Sequence, residues 1–203
     1  MKIIIATNNE KKLLEMRQIL ERTEIDFVSL RDMCLDISPN ENGDTFQQNA
    51  LIKARAVVDI SGIPAVADDS GIEVFALENR PGIYSARYGA PCAVSDADRN
   101  RLLLTEMRDI HEEKRGARFV CCIACVFPDG RIITSRGECY GTILRLPSGT
   151  GGFGYDPIFY IEEYAKTFAE LSQDEKNEIS HRSVALRDFS KKLFESGYCN
   201  DKK

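Results

Sequence analysis

Positive charge is scarce in this chain, and histidines are scarcer still. The 203 residues include 27 lysines and arginines against 32 aspartates and glutamates, with two histidines and a formal net charge of -5. This acidic balance argues against the broad basic surface that duplex nucleic acid requires. The chain also lacks the interleaved basic and aromatic residues typical of single-strand binders. We therefore expect no nucleic-acid partner.

Long apolar runs are missing as well. Near the N-terminus, four apolar residues at 3–6 follow a single lysine, which is far too short for a signal-peptide core or a membrane span. We expect a cytoplasmic protein with no membrane partner.

The cysteines do not form a disulfide or zinc pattern. Seven cysteines are an odd number in a chain without an export signal, so free thiols are expected. Cys122 and Cys125 form a C-x-x-C pair, but their β-branched and aromatic neighbours are typical of a buried strand. No second pair has the spacing of a zinc site. We interpret these cysteines as core residues.

The composition is that of an ordinary globular protein, with 43% hydrophobic and 29% charged residues. Because no repeat and no Pro- or Ser-rich linker divides the chain, we predict one domain over 1–203, with a flexible tail at about 198–203.

The first half of the chain alternates strand and helix signals. Residues 2–6 predict a buried strand, and a helix follows the polar loop at 7–12. A second helix is predicted over 46–60, with Asp44 or Thr45 as N-cap. The strand that follows it is short, since the apolar run ends before Asp68.

The second half adds a hairpin and more helices. Ser95 predicts the cap of a helix that runs to Met107. A Pro-Asp-Gly turn predicts antiparallel pairing of 118–127 with 131–140. Ser172 and Glu175 have the spacing of a capping box, and Gly197 is a helix stop. These signals predict an α/β fold with a mixed sheet flanked by helices.

The first loop suits a phosphate. Thr7 and Asn9 offer a hydroxyl and an amide, Lys11 and Lys12 offer ammonium groups, and a helix N-terminus follows. No Walker glycine pattern is present, so the loop alone does not distinguish a phosphate site from an ordinary polar loop.

Asp68 and Asp69 stand side by side at the predicted end of a strand, where ligands of open α/β sheets bind. Adjacent carboxylates repel unless a cation compensates them. One interpretation is a magnesium site with a carboxylate that acts on water, and the other is a turn in which the aspartates cap backbone amides. Glu41, in a loop, and Lys53, on the second predicted helix, belong to this site or are merely solvated charges.

A second group of candidates lies near the C-terminus. The loop at 149–156 combines glycines, which let backbone approach a ligand, with Phe153, Tyr155 and Asp156. The aromatic rings offer a stacking face, and Asp156 offers an acceptor for a ring N–H. Polar residues near a helix start follow in 176–182. The alternatives are a flexible connection and a helix start with no ligand.

These signals occur in an order that resembles one family, the inosine triphosphate pyrophosphatase-like enzymes that hydrolyse non-standard purine nucleotides. The resemblance rests on six blocks between residues 6 and 188: ATNNEKKLLE, TFQQNALIKA, ADDSGIEV, PGIYSARY, GTGGFGYDPIF and AELSQDEKNEISHRSVAL. It implies an ITPase-like α/β fold with two lobes around a central substrate cleft, a magnesium cofactor and a homodimer.

The resemblance also implies a role for each site residue. Asp69, Lys53 and Asp68 would be catalytic, and Glu41 with Asp69 would hold Mg²⁺. The substrate, a purine nucleoside triphosphate, would be bound by Thr7, Asn8, Asn9, Glu10, Lys11, Lys12, Ser70, Phe153, Gly154, Tyr155, Asp156, Lys176, His181 and Arg182.

The expected reaction is attack of water on the α-phosphorus of ITP, dITP or XTP, which releases pyrophosphate and the nucleoside monophosphate. Two alternatives remain open. One is a Maf-like pyrophosphatase of other modified nucleotides, which would share the strand-loop-helix opening. The other is a nucleotide sensor without turnover, which would keep the base pocket and lose Glu41, Lys53 and Asp69.

Overall fold

The computed structural model describes residues 1–21, 23 and 25–197. The predicted flexible tail at 198–203 lies outside the described residues. In the described part of the chain, seven strands form one sheet: β1 (Lys2–Ile5), β2 (Asp26–Ser29), β3 (Ala65–Val74), β4 (Gly116–Val126), β5 (Ile132–Ile143), β6 (Phe159–Ile161) and β7 (Lys166–Thr167). The α-helices are α1 (Glu10–Leu20), α2 (Phe46–Ser61), α3 (Asp96–Glu106), α4 (Gln173–Ile179) and α5 (His181–Glu195).

The sheet is mixed, as predicted. Its strand order is β2-β1-β3-β4-β5-β6-β7, in which β1 is parallel to β2 and β3, whereas β6 is antiparallel to β5 and β7. β4 and β5 are neighbours joined by the turn at 127–131, which is too short for a parallel crossover. The predicted antiparallel hairpin is therefore confirmed.

The chain divides into two compact units, as the two-lobe prediction requires. Among the described residues, unit 1 contains 1–21, 23, 25–69, 121–137 and 181–197, and unit 2 contains 70–120 and 138–180. The single domain and the substrate cleft stay predictions.

Unit 1 has helices on both faces of its strands. Ile3 and Ile5 pack with apolar residues of α1 and α5, while Ile4 packs with apolar residues of α2. This division follows from the alternation of side chains along β1, since successive residues point to opposite faces. Cys121 and Cys125 of β4 lie in the first of these cores, and Cys122 is also buried. All six described cysteines are free thiols.

Unit 2 has one apolar core, built from the second half of the sheet and α3. Phe119 stacks on Phe168 at 5.6 Å between ring centroids and meets the edge of Phe159 at 4.7 Å. Leu103 and Met107, at the end of α3, belong to the same cluster.

The cap predictions are confirmed, with refinements. Thr45, rather than Asp44, caps α2, since its side chain accepts from the Gln48 N–H. Ser95 and Ser172 each form a capping box, and Gly197 follows α5 with a φ of 81°. The box at Ser172 starts the short helix α4, which Ser180 separates from α5.

One strand prediction is wrong. The strand expected to end before Asp68 runs through both aspartates to Val74 as β3. A strand tolerates two buried carboxylates here because each of them is bound by a cationic side chain. The short strands β2, β6 and β7 were not predicted.

The cap of α2 gives a first prediction. Thr45→Ala should lower the free energy of unfolding by about 1 kcal/mol, because a helix-terminal N–H loses its acceptor. Asp44→Ala, one residue away, should cost about 0.5 kcal/mol or less, since only a helix-dipole interaction is lost. Urea unfolding of both variants measures the difference. Equal losses would contradict the assignment of the cap to Thr45.

Candidate active site

The adjacent carboxylates of β3 have different partners. Asp68 and Asp69 are successive strand residues, so their side chains point to opposite faces of the sheet. Asp68 is 1% exposed, and its Oδ2 lies 3.1 Å from Lys12 Nζ and 3.1 Å from Arg182 Nη2. Two cations thus compensate one buried carboxylate.

Arg182 connects this carboxylate to a second one. Its Nε donates to Asp68 Oδ2 at 3.3 Å, and its Nη1 donates to Glu15 Oε2. The residue is 2% exposed, and its guanidinium lies between two acids of unit 1. Lys12 and Glu15 are three residues apart on α1 and therefore share a face of that helix.

Asp69 is bound by the side chains of α2. Lys53 Nζ donates to Asp69 Oδ1 at 2.8 Å and to Glu41 Oε2 at 3.1 Å. Asn49 Nδ2 donates to Asp69 Oδ2 at 3.3 Å, while Asn49 Oδ1 accepts the Gly43 N–H at 2.9 Å. Both Glu41 and Asp69 thus direct an oxygen at one ammonium group.

The pKa values of the two aspartates shift in opposite directions. Burial raises the pKa of Asp68, but the charges of Lys12 and Arg182 outweigh it and hold that pKa far below its ordinary value. Burial raises the pKa of Asp69, and the attraction of Lys53 does not offset it fully. The pKa of Lys53 is raised because Asp69 and Asp68 outweigh the effect of its burial. Asp68 is therefore a fixed anion, and Asp69 is the more basic carboxylate.

The first loop caps the N-terminus of α1. Asn9 caps α1, and its Oδ1 accepts the N–H groups of Lys11 at 3.0 Å and Lys12 at 3.1 Å. Thr7 Oγ1 accepts the Asn9 N–H at 3.2 Å, and Asn8 Nδ2 donates to the Ile37 carbonyl at 3.0 Å. Glu10 is the first residue of α1 and is exposed. The loop is thus ordered by its own polar groups.

Unit 2 brings together three of the C-terminal candidates. Lys176 Nζ donates to Asp156 Oδ2 at 2.8 Å, and the Phe153 N–H donates to the same oxygen at 2.8 Å. The Lys176 ammonium also lies 5.0 Å from the centroid of the Phe153 ring. Asp156 and Lys176 are 3% and 4% exposed, so they form a buried ion pair beside a half-buried aromatic residue.

The remaining candidates are more dispersed. The Tyr155 hydroxyl donates to the Ser85 carbonyl at 2.9 Å, and the ring belongs to the core of unit 2. Ser70 is half-buried in β3. His181 is buried and begins α5 in unit 1, beside Arg182. Arg182, expected to act in the purine pocket, directs its guanidinium at Asp68 and Glu15.

Sequence reasoning missed two residues of this site, Glu15 and Asn49. Each was detectable by its spacing from a candidate: Glu15 follows Lys12 by three residues on α1, and Asn49 precedes Lys53 by four on α2.

The described residues hold no group of three or more metal-ligating acidic, histidine or cysteine side chains. Glu41 and Asp69 are two carboxylates that converge on one position, now taken by Lys53 Nζ. Nor does any helix in the described part of the chain have the length and apolar character needed to cross a membrane.

Comparison with known proteins identifies relatives over nearly the whole chain. Residues 3–192 match the model of the Ham1 family. A dITP/XTP pyrophosphatase of Thermus thermophilus is 46% identical over 187 residues, which cover 92% of this chain and 89% of that protein. The dITP/XTP pyrophosphatase of Desulforamulus reducens is 46% identical over 188 residues, 92% of each chain.

Solved structures have the same fold. The Ham1 protein of Staphylococcus aureus superposes with a TM-score of 0.86 at 36% identity, covering 97% of this chain and 100% of that one. The nucleoside-triphosphatase / dITP/XTP pyrophosphatase of Mycobacterium abscessus has a TM-score of 0.73 at 42% identity, covering 95% and 99%. With its predicted resemblance and its α/β fold both confirmed, the chain belongs to the Ham1 family.

Proposed function

We propose that this protein is a magnesium-dependent pyrophosphatase that hydrolyses ITP, dITP and XTP to the nucleoside monophosphate and pyrophosphate. The observation that carries the proposal is the cation-bound acidic pair of β3, with Asp68 on Lys12 and Asp69 on Lys53. The names of the relatives support the substrate class.

The first loop supplies groups for the triphosphate. The start of α1 presents the positive end of the helix dipole, and Lys11 and Lys12 add positive charge. Thr7 and Asn9 contribute a hydroxyl and an amide beside these lysines. Asp68 holds Lys12 at 3.1 Å, so the lysine lies near the acidic pair.

Glu41 and Asp69 fit a magnesium ion. Mg²⁺ prefers oxygen ligands and is usually held by one or two carboxylates together with substrate phosphates and water. The two carboxylates have oxygens 3.1 and 2.8 Å from one ammonium position, so they already converge on a cation. When bound, magnesium would neutralise charge on the phosphoryl oxygens and on the pyrophosphate leaving group.

Asp69 suits the role of proton acceptor. Its side chain is 10% exposed, whereas the side chain of Asp68 is wholly buried between two cations. Asp69 would take a proton from water as the water oxygen forms a bond to the α-phosphorus. The bond from the α-phosphorus to the bridging oxygen breaks, and pyrophosphate leaves with the electron pair. Asp68 would support the reaction by holding Lys12 and Arg182.

The buried pair in unit 2 suits a 6-oxopurine. Hypoxanthine and xanthine present O6 as an acceptor and N1–H as a donor, which is the reverse of the adenine edge. Lys176 would donate to O6, Asp156 would accept from N1–H, and Phe153 would stack on the ring. Adenine would instead present its N6 amino donor to the Lys176 ammonium and its N1 acceptor to the Asp156 carboxylate, so that donor would face donor and acceptor would face acceptor. Guanine must be rejected through its 2-amino group. His181 and Arg182 stay predicted donors to the base, and Ser70, Gly154 and Tyr155 stay predicted substrate contacts.

A substrate panel tests the proposal. Pyrophosphate release with Mg²⁺ should be at least about 100-fold more efficient for dITP and XTP than for dATP, because adenine would place a donor against Lys176 and an acceptor against Asp156. Chelation of the metal with EDTA should abolish turnover, and excess Mg²⁺ should restore it. A preference for dTTP or other pyrimidines would favour the Maf-like alternative, and binding without turnover would favour the sensor.

The cellular setting and assembly follow from the same proposal. We infer that the enzyme acts in the cytoplasm on free nucleotides, with no nucleic-acid or membrane partner, and that it is a homodimer. Light scattering of the purified protein would report a mass near twice that of the 22.8 kDa chain. A monomer mass would contradict the dimer.

A further inference from the structure

Helix α3 binds both the N–H and the carbonyl of Gly154. Asp96 Oδ2 accepts the Gly154 N–H at 2.8 Å, and Asn100 Nδ2 donates to the Gly154 carbonyl at 3.1 Å. Asp96 and Asn100 are four residues apart on α3, so they share one face of the helix. Both polar groups of one loop residue are thus bound by one helix.

The loop around Gly154 is rich in glycines with left-handed backbone. Gly149, Gly152 and Gly154 all have a positive φ, at 81°, 69° and 62°. Glycines of this kind give the loop many accessible conformations, and selecting one of them costs conformational entropy. A side chain that binds the backbone at Gly154 limits that freedom between Phe153 and Asp156.

Packing alone does not explain an asparagine at position 100, because burying its amide costs free energy of folding. Asn100 is 5% exposed, and within the described part of the chain its Oδ1 has no hydrogen-bond partner. A buried acceptor without a partner costs free energy, which an apolar residue of similar size would avoid. The polar contact that Asn100 makes is thus the bond from its Nδ2 to the Gly154 carbonyl.

Asp96 is itself oriented by a neighbour. Its Oδ1 accepts from Arg99 Nη2, while its Oδ2 accepts from Gly154. The side chain of Arg99 is only 15% exposed. Each carboxylate oxygen thus has a separate partner, and the orientation of Asp96 toward the loop is defined.

We propose that Asp96 and Asn100 are positioning residues for base recognition, which hold Phe153 and Asp156 in place through the backbone of Gly154. This inference rests on the proposed function, because it assumes that Phe153 and Asp156 bind the purine. It assigns to α3 a role in selecting the base and no role in binding the phosphates.

The test compares Asp96→Ala with Asp98→Ala. Asp98 lies in the same helical turn and forms the capping box with Ser95, so its loss weakens α3 without removing a bond to Gly154. The readouts are kcat and KM for dITP, the dITP to dATP ratio of kcat/KM, and inhibition by dIMP and by pyrophosphate. dIMP carries the base, whereas pyrophosphate reports the phosphate site alone.

Asp96→Ala should raise the KM for dITP and the inhibition constant of dIMP about tenfold, the effect of losing one charge-assisted hydrogen bond. Its kcat and its inhibition by pyrophosphate should change less than about threefold, and the dITP to dATP ratio should fall. Asn100→Ala should act in the same direction. Asp96→Asn keeps an acceptor for the Gly154 N–H and should restore much of the lost affinity for dIMP.

The inference is overturned if Asp96→Ala and Asp98→Ala behave alike, since α3 would then act only through stability. It is also overturned if inhibition by pyrophosphate weakens as much as inhibition by dIMP. Failure of the proposed function looks different, because the wild-type protein would itself show no preference for dITP over dATP.

Discussion

Asp69→Asn is expected to lower kcat for pyrophosphate release from dITP by about 10³-fold, within the range of roughly 10²- to 10⁴-fold that a general base contributes. The amide keeps the size of the carboxylate but neither accepts a proton at neutral pH nor neutralises a metal ion. Lys53 keeps Glu41 as its partner, so no uncompensated ammonium is left in the variant. Single-turnover rates at saturating substrate and Mg²⁺ measure the loss.

Glu73→Gln is the matched control for this prediction. Glu73 lies on the same strand, and its Oε2 is paired with Arg118 Nε at 2.7 Å, so the variant also neutralises a cation-bound carboxylate of β3. Its kcat should stay within about threefold of wild type, as for a substitution outside the site. Thermal unfolding of both variants separates a catalytic loss from a folding defect. A similar kcat for Asp69→Asn and wild type would remove Asp69 from the reaction.

Gly152→Ala is expected to lower kcat/KM for dITP by about 100-fold, as for a site whose buried polar groups lose their partners. A Cβ at this position would lie 2.0 Å from Asp156 Oδ2, so the carboxylate or the loop must move. That oxygen accepts from both Lys176 and the Phe153 N–H, and displacing it breaks both hydrogen bonds. Steady-state kinetics with dITP and dATP measure the effect on base recognition.

Gly154→Ala is the control that distinguishes the clash of a new Cβ with Asp156 from strain in the left-handed backbone. Gly154 has nearly the same φ as Gly152, 62° against 69°, but a Cβ there meets no atom within 4 Å. It should cost about 1–2 kcal/mol of stability from the left-handed backbone and should lower kcat/KM for dITP much less than Gly152→Ala does, because Asp156 is not displaced. If the two variants lost activity equally, strain in the loop rather than displacement of Asp156 would be the cause.

Local features of the fold were predictable because they depend on neighbours in sequence. The caps at Thr45, Ser95 and Ser172 each satisfy a helix N–H within three residues, so a short stretch of sequence suffices to identify them. The short strands β6 and β7 were missed because they have 3 and 2 residues and carry no measurable alternation.

The length of β3 was misjudged for a related reason. Two aspartates after an apolar run indicate a strand end when only the local sequence is considered. The strand continues because Lys12 and Arg182 on one carboxylate, and Lys53 on the other, offset the cost of burial. Those cations come from α1, α5 and α2, which are separate elements of the chain from β3.

The sequence by itself determined the α/β class, most of the helix limits and the residue types of the site, because periodicity and capping are local. Only the tertiary structure decided the pairings: Asp69 with Lys53 and Asn49, Asp156 with Lys176, and Arg182 with Asp68 and Glu15. The physical reason is that a buried charge takes the partner that the packing of helices on the sheet brings within hydrogen-bonding distance. The number of residues between two side chains in the sequence does not determine that distance.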